Sequence, residues 1–197
     1  MRKIVGLTGP TGSGKTTFSK LAQDMGIEVI NCDLYARKAV EKSSEGLLAL
    51  VKAFGEDILL KDGSLCRKTL AKKAFSSKEN TELLNKTLLP FISELILSDI
   101  KTENVLLDAP TLFESGMNEI CYKTIAVLSE KEIRIKRITS RDDLSISDAL
   151  LRINAGKSDE FFINNADYVI YNNDKENNFL SEGKALLDGI FGGNINE

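Results

Sequence analysis

The chain has 197 residues, of which 42% are hydrophobic, and this is enough to bury one sizeable core in a single domain that carries insertions. A net charge of -3 argues against a broad nucleic-acid surface, because such a surface needs clustered basic residues. The chain has no histidine, which excludes a histidine general base, a Ser-His-Asp triad and a histidine-ligated zinc site.

Targeting and redox signals are few. The sequence reaches a glycine-rich loop almost at once, which leaves no room for a signal peptide, and no apolar run approaches the roughly 18 residues of a membrane-spanning helix. The three cysteines, Cys32, Cys66 and Cys121, lie far apart and form no CxxC pair, which is typical of core or half-buried thiols in a reducing compartment. The sequence therefore predicts a cytoplasmic protein that binds neither nucleic acid nor membrane.

Five short apolar segments predict β-strands, at residues 4–8, 27–33, 103–110, 122–129 and 166–173. A helix is predicted from about residue 14 to residue 25, and segments with helical periodicity separate the other strands. This alternation predicts an α/β fold with a five-stranded parallel sheet and crossover helices.

Three candidate functional features come at the carboxyl ends of predicted strands. They are the glycine-rich loop after the first strand, Asp33 after the second and Asp108 after the third. In open parallel sheets the ligand crevice lies outside this edge, so we expect the three features to share it.

Two segments interrupt the alternation. Residues 34–102 have mostly helical character, and Pro90 is expected to start a new helix there or to kink a long one. An insertion of this size is typical of a substrate-covering subdomain, with extra helical packing as the alternative. The charged segment 130–165 predicts a helical lid. The core of the single domain then comprises residues 1–33, 103–129 and 166–197.

The stretch GPTGSGKT, residues 9–16, matches the phosphate-binding pattern G-x-x-x-x-G-K-[ST] in full. Its glycines let backbone N–H groups approach a phosphate chain closely, and the following helix contributes its positive N-terminal end. Lys15 is expected to reach the β- and γ-phosphates, and the Thr16 hydroxyl to bind Mg²⁺. The pattern predicts a nucleoside-triphosphate site.

Other segments narrow the kind of phosphate chemistry. The guanine-reading N-K-x-D pattern of GTPases is missing, since NNDK at residues 172–175 has a different order. Motor ATPases carry Asp-Glu after four apolar residues, whereas Ala109 follows Asp108 here. A small kinase remains, with one phosphate loop, a helical acceptor-binding insertion and a basic lid.

A kinase needs a group that orients or deprotonates the acceptor hydroxyl, together with cations around the transferring phosphate. Asp33 is the candidate base, and a helix N-cap is its structural alternative. The lid supplies basic residues, and Arg134, Arg137 and Arg141 share one face of a predicted helix. We expect Arg137 and Arg141 to bind ATP, and Arg134 to lie on a solvated face with the remaining lid cations.

The chain resembles the dephospho-coenzyme A kinase family over nearly its whole length. The resemblance lies in the opening loop IVGLTGPTGSGKTTFSKL, in VINCDLYAR, in DGSLCRKTLAKKAF, in VLLDAPTLFESG, in RIKRITSRD and in NADYVIYNN. The third and fourth of these blocks are much more specific than the phosphate loop.

The resemblance implies a P-loop NTPase core that transfers phosphate from ATP, with Mg²⁺, to the ribose 3′-hydroxyl of dephospho-coenzyme A. It implies that Lys15, Asp33 and Arg141 are catalytic, with Asp33 as the base. The implied ATP contacts are Gly9, Thr11, Gly12, Ser13, Gly14, Lys15, Thr16, Thr17, Arg137 and Arg141. The implied acceptor contacts are Asp33, Arg67, Asp108, Pro110, Leu112 and Glu114, and the expected assembly is a monomer or a small homo-oligomer.

Three positions depart from the family pattern. Leu89 replaces a histidine before Pro90, Gly156 replaces a glutamine near the end of the lid, and Phe162 replaces a basic residue. These positions bear on acceptor binding and lid closure. Two alternatives therefore stay open, namely a kinase of another nucleotide or nucleoside and a nucleotide-binding sensor with a degraded acceptor site.

Overall fold

A computed structural model describes residues 2–173 and 176–192, without the side chains of residues 176 and 177. The strands are β1 (Lys3–Thr8), β2 (Glu28–Asn31), β3 (Asn104–Asp108), β4 (Lys123–Leu128) and β5 (Tyr168–Tyr171). The α-helices are α1 (Lys15–Asp24), α2 (Cys32–Lys38), α3 (Glu45–Phe54), α4 (Arg67–Ala74), α5 (Lys78–Asp99), α6 (Lys131–Asp142), α7 (Ile146–Asn154), α8 (Asp159–Asn165) and α9 (Glu176–Phe191).

The five strands form one parallel sheet in the order β2-β3-β1-β4-β5. Strand β1 lies at the centre, with Val5 opposite Leu106 of β3 on one side and Lys123 of β4 on the other. Because all strands run the same way, the loops that follow them emerge at one edge of the sheet. The predicted parallel α/β sheet is confirmed.

The end of β2 differs from the prediction. The strand stops at Asn31, whose side-chain oxygen accepts a hydrogen bond from the Asp33 backbone N–H at 2.9 Å. Asn31 is thus the N-cap of α2, and Asp33 lies in the first turn of that helix. The predictions of Asp33 as the last residue of a strand and, alternatively, as a helix N-cap are both wrong, because its neighbour caps the helix.

The chain divides into two compact units. The first contains the described residues up to 30, residues 101–112 and the described residues from 121 onward. Its core joins the sheet to helices α1 and α9, and it includes Leu7, Phe18, Ile125 and Phe179. The central residues of β3 and β4, on the two sides of β1, are buried and match the near-continuous apolar runs of the sequence.

The second unit contains residues 31–100 and 113–120. Helices α2 to α5 surround an apolar cluster that includes Val40, Leu50, Ile58 and Leu70. Pro90 lies inside α5, so the helix does not restart there, contrary to one of the two predictions for this proline. The predicted helical character of the insertion is confirmed.

Across the described part of the chain, none of the helices combines the length and the apolar character that crossing a bilayer requires. The three cysteines are free thiols, with Cys32 buried and the other two half-buried, as predicted.

Candidate active site

The phosphate-binding loop connects β1 to α1 in the first unit. Gly14 is the N-cap of α1 and has a φ of 104°, which favours glycine. A Cβ at this position would overlap the side-chain nitrogen of Asn172, so the close packing of Asn172 also requires glycine here. The first N–H groups of α1 have no partner within the helix, and such groups are the usual anchors of a phosphate.

Two side chains of the loop complete this cradle. The Lys15 ammonium folds over the loop and donates hydrogen bonds to the carbonyls of Gly9 at 2.7 Å and Pro10 at 3.4 Å. The Ser13 hydroxyl oxygen is buried and has no hydrogen-bond partner among the described residues. A buried, unpaired polar atom is costly, and a bound phosphate chain is a natural partner for it. The residues of the loop therefore fit a nucleotide. Thr16 is exposed and Thr17 half-buried, both in the first turn of α1.

Two of the three arginines of helix α6 lie against the phosphate loop. Arg137 donates hydrogen bonds to the carbonyls of Gly12 at 3.3 Å and Ser13 at 3.2 Å. Arg134 donates from Nε to the carbonyl of Thr11 at 3.0 Å and is only 4% exposed. The prediction that Arg134 lies on a solvated helix face is therefore wrong. The Arg137 guanidinium faces loop carbonyls, and its expected contact with ATP stays a prediction.

A carboxylate stands at the end of the neighbouring strand β3. The Ser19 hydroxyl of α1 donates a hydrogen bond to Asp108 Oδ2 at 2.9 Å. Ser19 is 7% exposed, so this bond fixes one oxygen of a half-buried carboxylate close to the phosphate-loop helix. Two residues on, the carbonyl of Pro110 accepts a hydrogen bond from the Thr8 hydroxyl at 3.2 Å.

Leu112 differs from its predicted role in substrate binding. The residue is fully buried, and its side chain fills the space beside Gly6, where a Cβ would lie 2.6 Å from Leu112 Cδ2. It therefore belongs to the core of the first unit and offers no surface to a ligand.

The second unit contains a cavity of about 370 Å³. Its walls are mainly apolar, and its polar side chains are Asp33 and Arg37 of α2 and Arg67 of α4. All three polar residues are exposed, and among the described residues the Asp33 carboxylate has no hydrogen-bond or ion-pair partner. An apolar cavity with a few convergent polar groups is the usual form of a small-molecule site.

Glu114 also lies in the second unit. Its Oε2 is buried without a hydrogen-bond partner among the described residues, while its backbone carbonyl accepts a hydrogen bond from Asn85 Nδ2 at 2.5 Å. A carboxylate oxygen in this state favours a donor from a ligand or a water molecule.

Arg141 lies in the last turn of helix α6 and is exposed. It donates two hydrogen bonds to the carboxylate of Asp142, at 2.7 and 2.8 Å, and Arg152 pairs with the same carboxylate. The hydrogen bond from Arg141 is the main reason that the pKa of Asp142 falls to about 2. Arg141 is thus held in a small network of charges on the surface of the first unit.

A family model described as dephospho-CoA kinase matches residues 3–178 of the chain. The chain belongs to the dephospho-CoA kinase family. A dephospho-CoA kinase of Listeria innocua is 38% identical over 180 residues, which cover 88% of this chain and 90% of the relative. A dephospho-CoA kinase of Oryza sativa is 38% identical over 176 residues, covering 86% of this chain and 76% of the relative.

Solved structures agree with this membership. The dephospho-CoA kinase of Campylobacter jejuni has a TM-score of 0.65 and 28% identity, covering 98% of this chain and 100% of the other. A shikimate kinase of Acinetobacter baumannii has a TM-score of 0.56 and 16% identity, and the match covers 99% of this chain and 96% of the shikimate kinase. At that identity the likeness concerns the fold alone, which is that of a P-loop kinase.

Three positions of this dephospho-CoA kinase family member depart from the family pattern, and they lie in different environments. Leu89 packs within the second unit, where its Cδ2 would lie 3.1 Å from a Cβ at Gly116. Phe162 is 2% exposed and makes an edge-on contact with Phe161 at 5.4 Å between ring centres. Gly156 is exposed. Two of the three substitutions therefore contribute to packing.

Sequence reasoning missed three residues that touch the site. The sequence pattern predicts a solvated Arg134, and it points to neither Ser19 nor Asn172. Their partners lie between 89 and 159 residues away along the chain, so no local pattern points to them.

Proposed function

We propose that the protein phosphorylates the ribose 3′-hydroxyl of dephospho-CoA with ATP, giving CoA and ADP. The observation that carries the proposal is a complete phosphate-binding loop in a chain that matches the dephospho-CoA kinase family over residues 3–178. Phosphoryl transfer depends mainly on positioning and on neutralising charge, and both units contain residues of the type that this needs.

On the nucleotide side, the N–H groups at the start of α1 and the side chains of Lys15 and Ser13 would hold the phosphates of ATP. Lys15 would leave the loop carbonyls for the β- and γ-phosphates. Its predicted catalytic role follows from this, because an ammonium there offsets the charge that develops during transfer. Gly9, Thr11, Gly12, Gly14 and Thr17 are proposed to contact ATP through the backbone or through hydroxyl groups.

The hydroxyl of Thr16 fits Mg²⁺, which prefers hard oxygen ligands and keeps several waters. No group of three or more acidic, cysteine or histidine side chains is placed to hold a metal within the described ranges 2–173 and 176–192. Thr16 and the phosphate oxygens would therefore be the anchors of the ion. A bound Mg²⁺ neutralises phosphate charge during transfer.

On the acceptor side, we propose that the second unit binds dephospho-CoA in the 370 Å³ cavity. Its apolar wall suits the long aliphatic and amide arm of that substrate, and the guanidinium groups of Arg37 and Arg67 suit its pyrophosphate. Asp33 is the proposed base, since its carboxylate is exposed and unpaired among the described residues. Asp108, Pro110 and Glu114 remain proposed acceptor contacts.

The segment 130–165 is proposed as the lid, and Arg141 as the cation that it brings to the transferring phosphate. This role requires Arg141 to exchange Asp142 for a phosphate oxygen. A cytoplasmic location is also proposed, on the grounds that all three thiols are free.

The experiment that tests the proposal is ADP release from Mg²⁺-ATP with dephospho-CoA, compared with adenosine, AMP, cytidine and uridine. Among these acceptors, we expect only dephospho-CoA to be turned over, and we expect its product to match CoA in chromatography and in mass. A Lys15→Met variant serves as the control for contaminating kinases. Turnover that prefers another acceptor would refute the proposed substrate. ATP binding with no acceptor consumed would instead favour a nucleotide sensor.

A further inference from the structure

Three consecutive carbonyl groups of the phosphate loop are each held by side chains from distant parts of the first unit. Arg134 Nε donates to Thr11 O at 3.0 Å, and Arg137 Nη1 donates to Gly12 O at 3.3 Å. Ser13 O accepts from both Arg137 Nη1, at 3.2 Å, and Asn172 Nδ2, at 3.0 Å.

These contacts also set the direction of the N–H groups of the loop. In a planar trans peptide the C=O of one residue and the N–H of the next point in opposite directions. Fixing the carbonyls of Thr11 and Ser13 therefore turns the N–H groups of Gly12 and Gly14 to the other side of the loop, whereas the N–H of Ser13 donates a hydrogen bond to the Pro10 carbonyl at 3.3 Å. That side is the concave one on which a phosphate chain binds such a loop.

Arg137 and Asn172 are tied to each other as well as to the loop. Arg137 Nη2 donates to the backbone carbonyl of Asn172 at 3.1 Å and to its Oδ1 at 3.0 Å. Arg137 Nη1 also donates to the hydroxyl of Ser129 at 3.3 Å. Asn172 is only 5% exposed and Arg137 is half-buried, so the network is partly shielded from water, which strengthens its hydrogen bonds.

Arg134 has a second partner, which sets its orientation. Its Nη1 pairs with Asp159 Oδ1 at 3.0 Å, while the side chain of Arg134 is 5% exposed and that of Asp159 is 46% exposed. A buried guanidinium needs a counter-charge and hydrogen-bond partners. Asp159 supplies the counter-charge, and Asp159 and the Thr11 carbonyl accept hydrogen bonds from two of its nitrogens. The side chain of Arg134 thus spans from the first turn of α8 to the phosphate loop.

We propose that Arg134, Arg137 and Asn172 form a carbonyl clamp, a set of positioning residues that preforms the phosphate loop for nucleotide. Asp159 supports the clamp by orienting Arg134. The clamp acts through the loop backbone and does not touch the phosphates, so Arg137 serves the loop and not ATP directly. The inference rests on the proposed function only in that the loop binds the polyphosphate of a nucleotide.

The test uses the full chain with three single substitutions, one double variant and one control. Arg134→Met removes every hydrogen-bond donor but keeps a side chain of similar length. Arg134→Lys keeps the charge but cannot reach both partners of the arginine. Asp159→Asn removes the charge that pairs with Arg134. Lys136→Met is the matched control, because it removes one exposed charge from the same helix. Binding of ADP and of inorganic tripolyphosphate is measured by calorimetry without acceptor, beside thermal unfolding.

We expect Arg134→Met to weaken both ligands by on the order of tenfold or more, which corresponds to the loss of a charged hydrogen bond. Asp159→Asn should weaken them by about threefold, and Arg134→Lys should fall between these two variants. The Arg134→Met/Asp159→Asn double variant should bind no worse than Arg134→Met alone, because the aspartate acts through the arginine. Lys136→Met should bind both ligands as the wild type does.

A merely structural role predicts a different pattern, in which unfolding temperatures fall but ligand affinities of the folded protein stay unchanged. That result would overturn the clamp, and so would a failure of the wild type to bind ADP. If Arg134→Met does not fold, Arg134→Lys and Asp159→Asn decide the question by the same two readouts. Normal ADP binding without phosphorylation of dephospho-CoA would count against the proposed function and leave the clamp standing.

Discussion

Replacing Gly9 with alanine should disrupt the phosphate loop much more than an ordinary glycine substitution does. Gly9 has a φ of 141°, and a Cβ there would overlap the carbonyl oxygen of Val127 and lie 3.1 Å from its carbonyl carbon. Val127 belongs to β4, which pairs with the central strand, so its backbone cannot move aside without breaking the sheet.

The magnitude follows from two contributions. The unfavourable φ costs about 1–3 kcal/mol, and forcing an extra methyl group into packed backbone costs about 1–3 kcal/mol more. Gly26 provides a matched comparison, since it has a φ of 79° but nothing within 4 Å of a Cβ. Gly26→Ala should therefore cost only the conformational part, about 1–2 kcal/mol. The gain from restricting the unfolded chain is common to both variants and cancels.

The free energy of unfolding in urea, followed by far-ultraviolet circular dichroism, measures both variants. Gly9→Ala should be less stable than Gly26→Ala by the steric part, about 1–3 kcal/mol, which is a substantial part of the stability of a small domain. It should also lose ADP binding, whereas Gly26→Ala should retain it. Equal stabilities would show that β4 yields to the added methyl group, and the steric reasoning would then be refuted.

Three further predictions concern individual side chains. Asp33→Asn should leave ADP affinity unchanged and lower kcat by about 100-fold or more, and wild-type turnover would reject Asp33 as the base. Ser19→Ala removes the hydrogen bond to Asp108 and should lower the free energy of unfolding by about 1 kcal/mol. The KM for dephospho-CoA should rise more than the KM for ATP. Unchanged stability and KM values would mean that this hydrogen bond does not position the Asp108 carboxylate. Hydrogen bonding lowers the pKa of the Cys66 thiol, whereas burial raises the pKa of Cys121 to about 12. Since only the thiolate reacts and its fraction grows as pH rises toward the pKa, iodoacetamide at pH 8 should label Cys66 well before Cys121, and peptide mass spectrometry giving the reverse order would contradict this.

The sequence predicted those features that local chemistry determines. The five strands follow from short apolar runs, and the phosphate loop follows from a glycine pattern that few other structures require. The helical insertion was likewise evident from its periodicity. These features need no knowledge of which distant residues meet.

Features that depend on long-range contacts were not predictable in this way. A basic residue on a helix gives the same pattern whether it faces water, as Lys136 does, or buried carbonyls, as Arg134 does. The sequence also does not show which of two nearby residues caps helix α2. Asn31 and Asp33 are both good N-cap residues, and the structure shows that Asn31 takes this position. Leu112 lies in a stretch that resembles an acceptor site, yet packing beside Gly6 decides its place.

The central position of β1 has a consequence for how the protein is made. During synthesis the phosphate loop leaves the ribosome well before β4 and the side chains at 134, 137 and 172 that hold its carbonyls. Residues 31–100, by contrast, make most of their contacts within one contiguous segment and can form helices as they emerge. We therefore expect nascent chains to gain the helical insertion well before they acquire affinity for nucleotide.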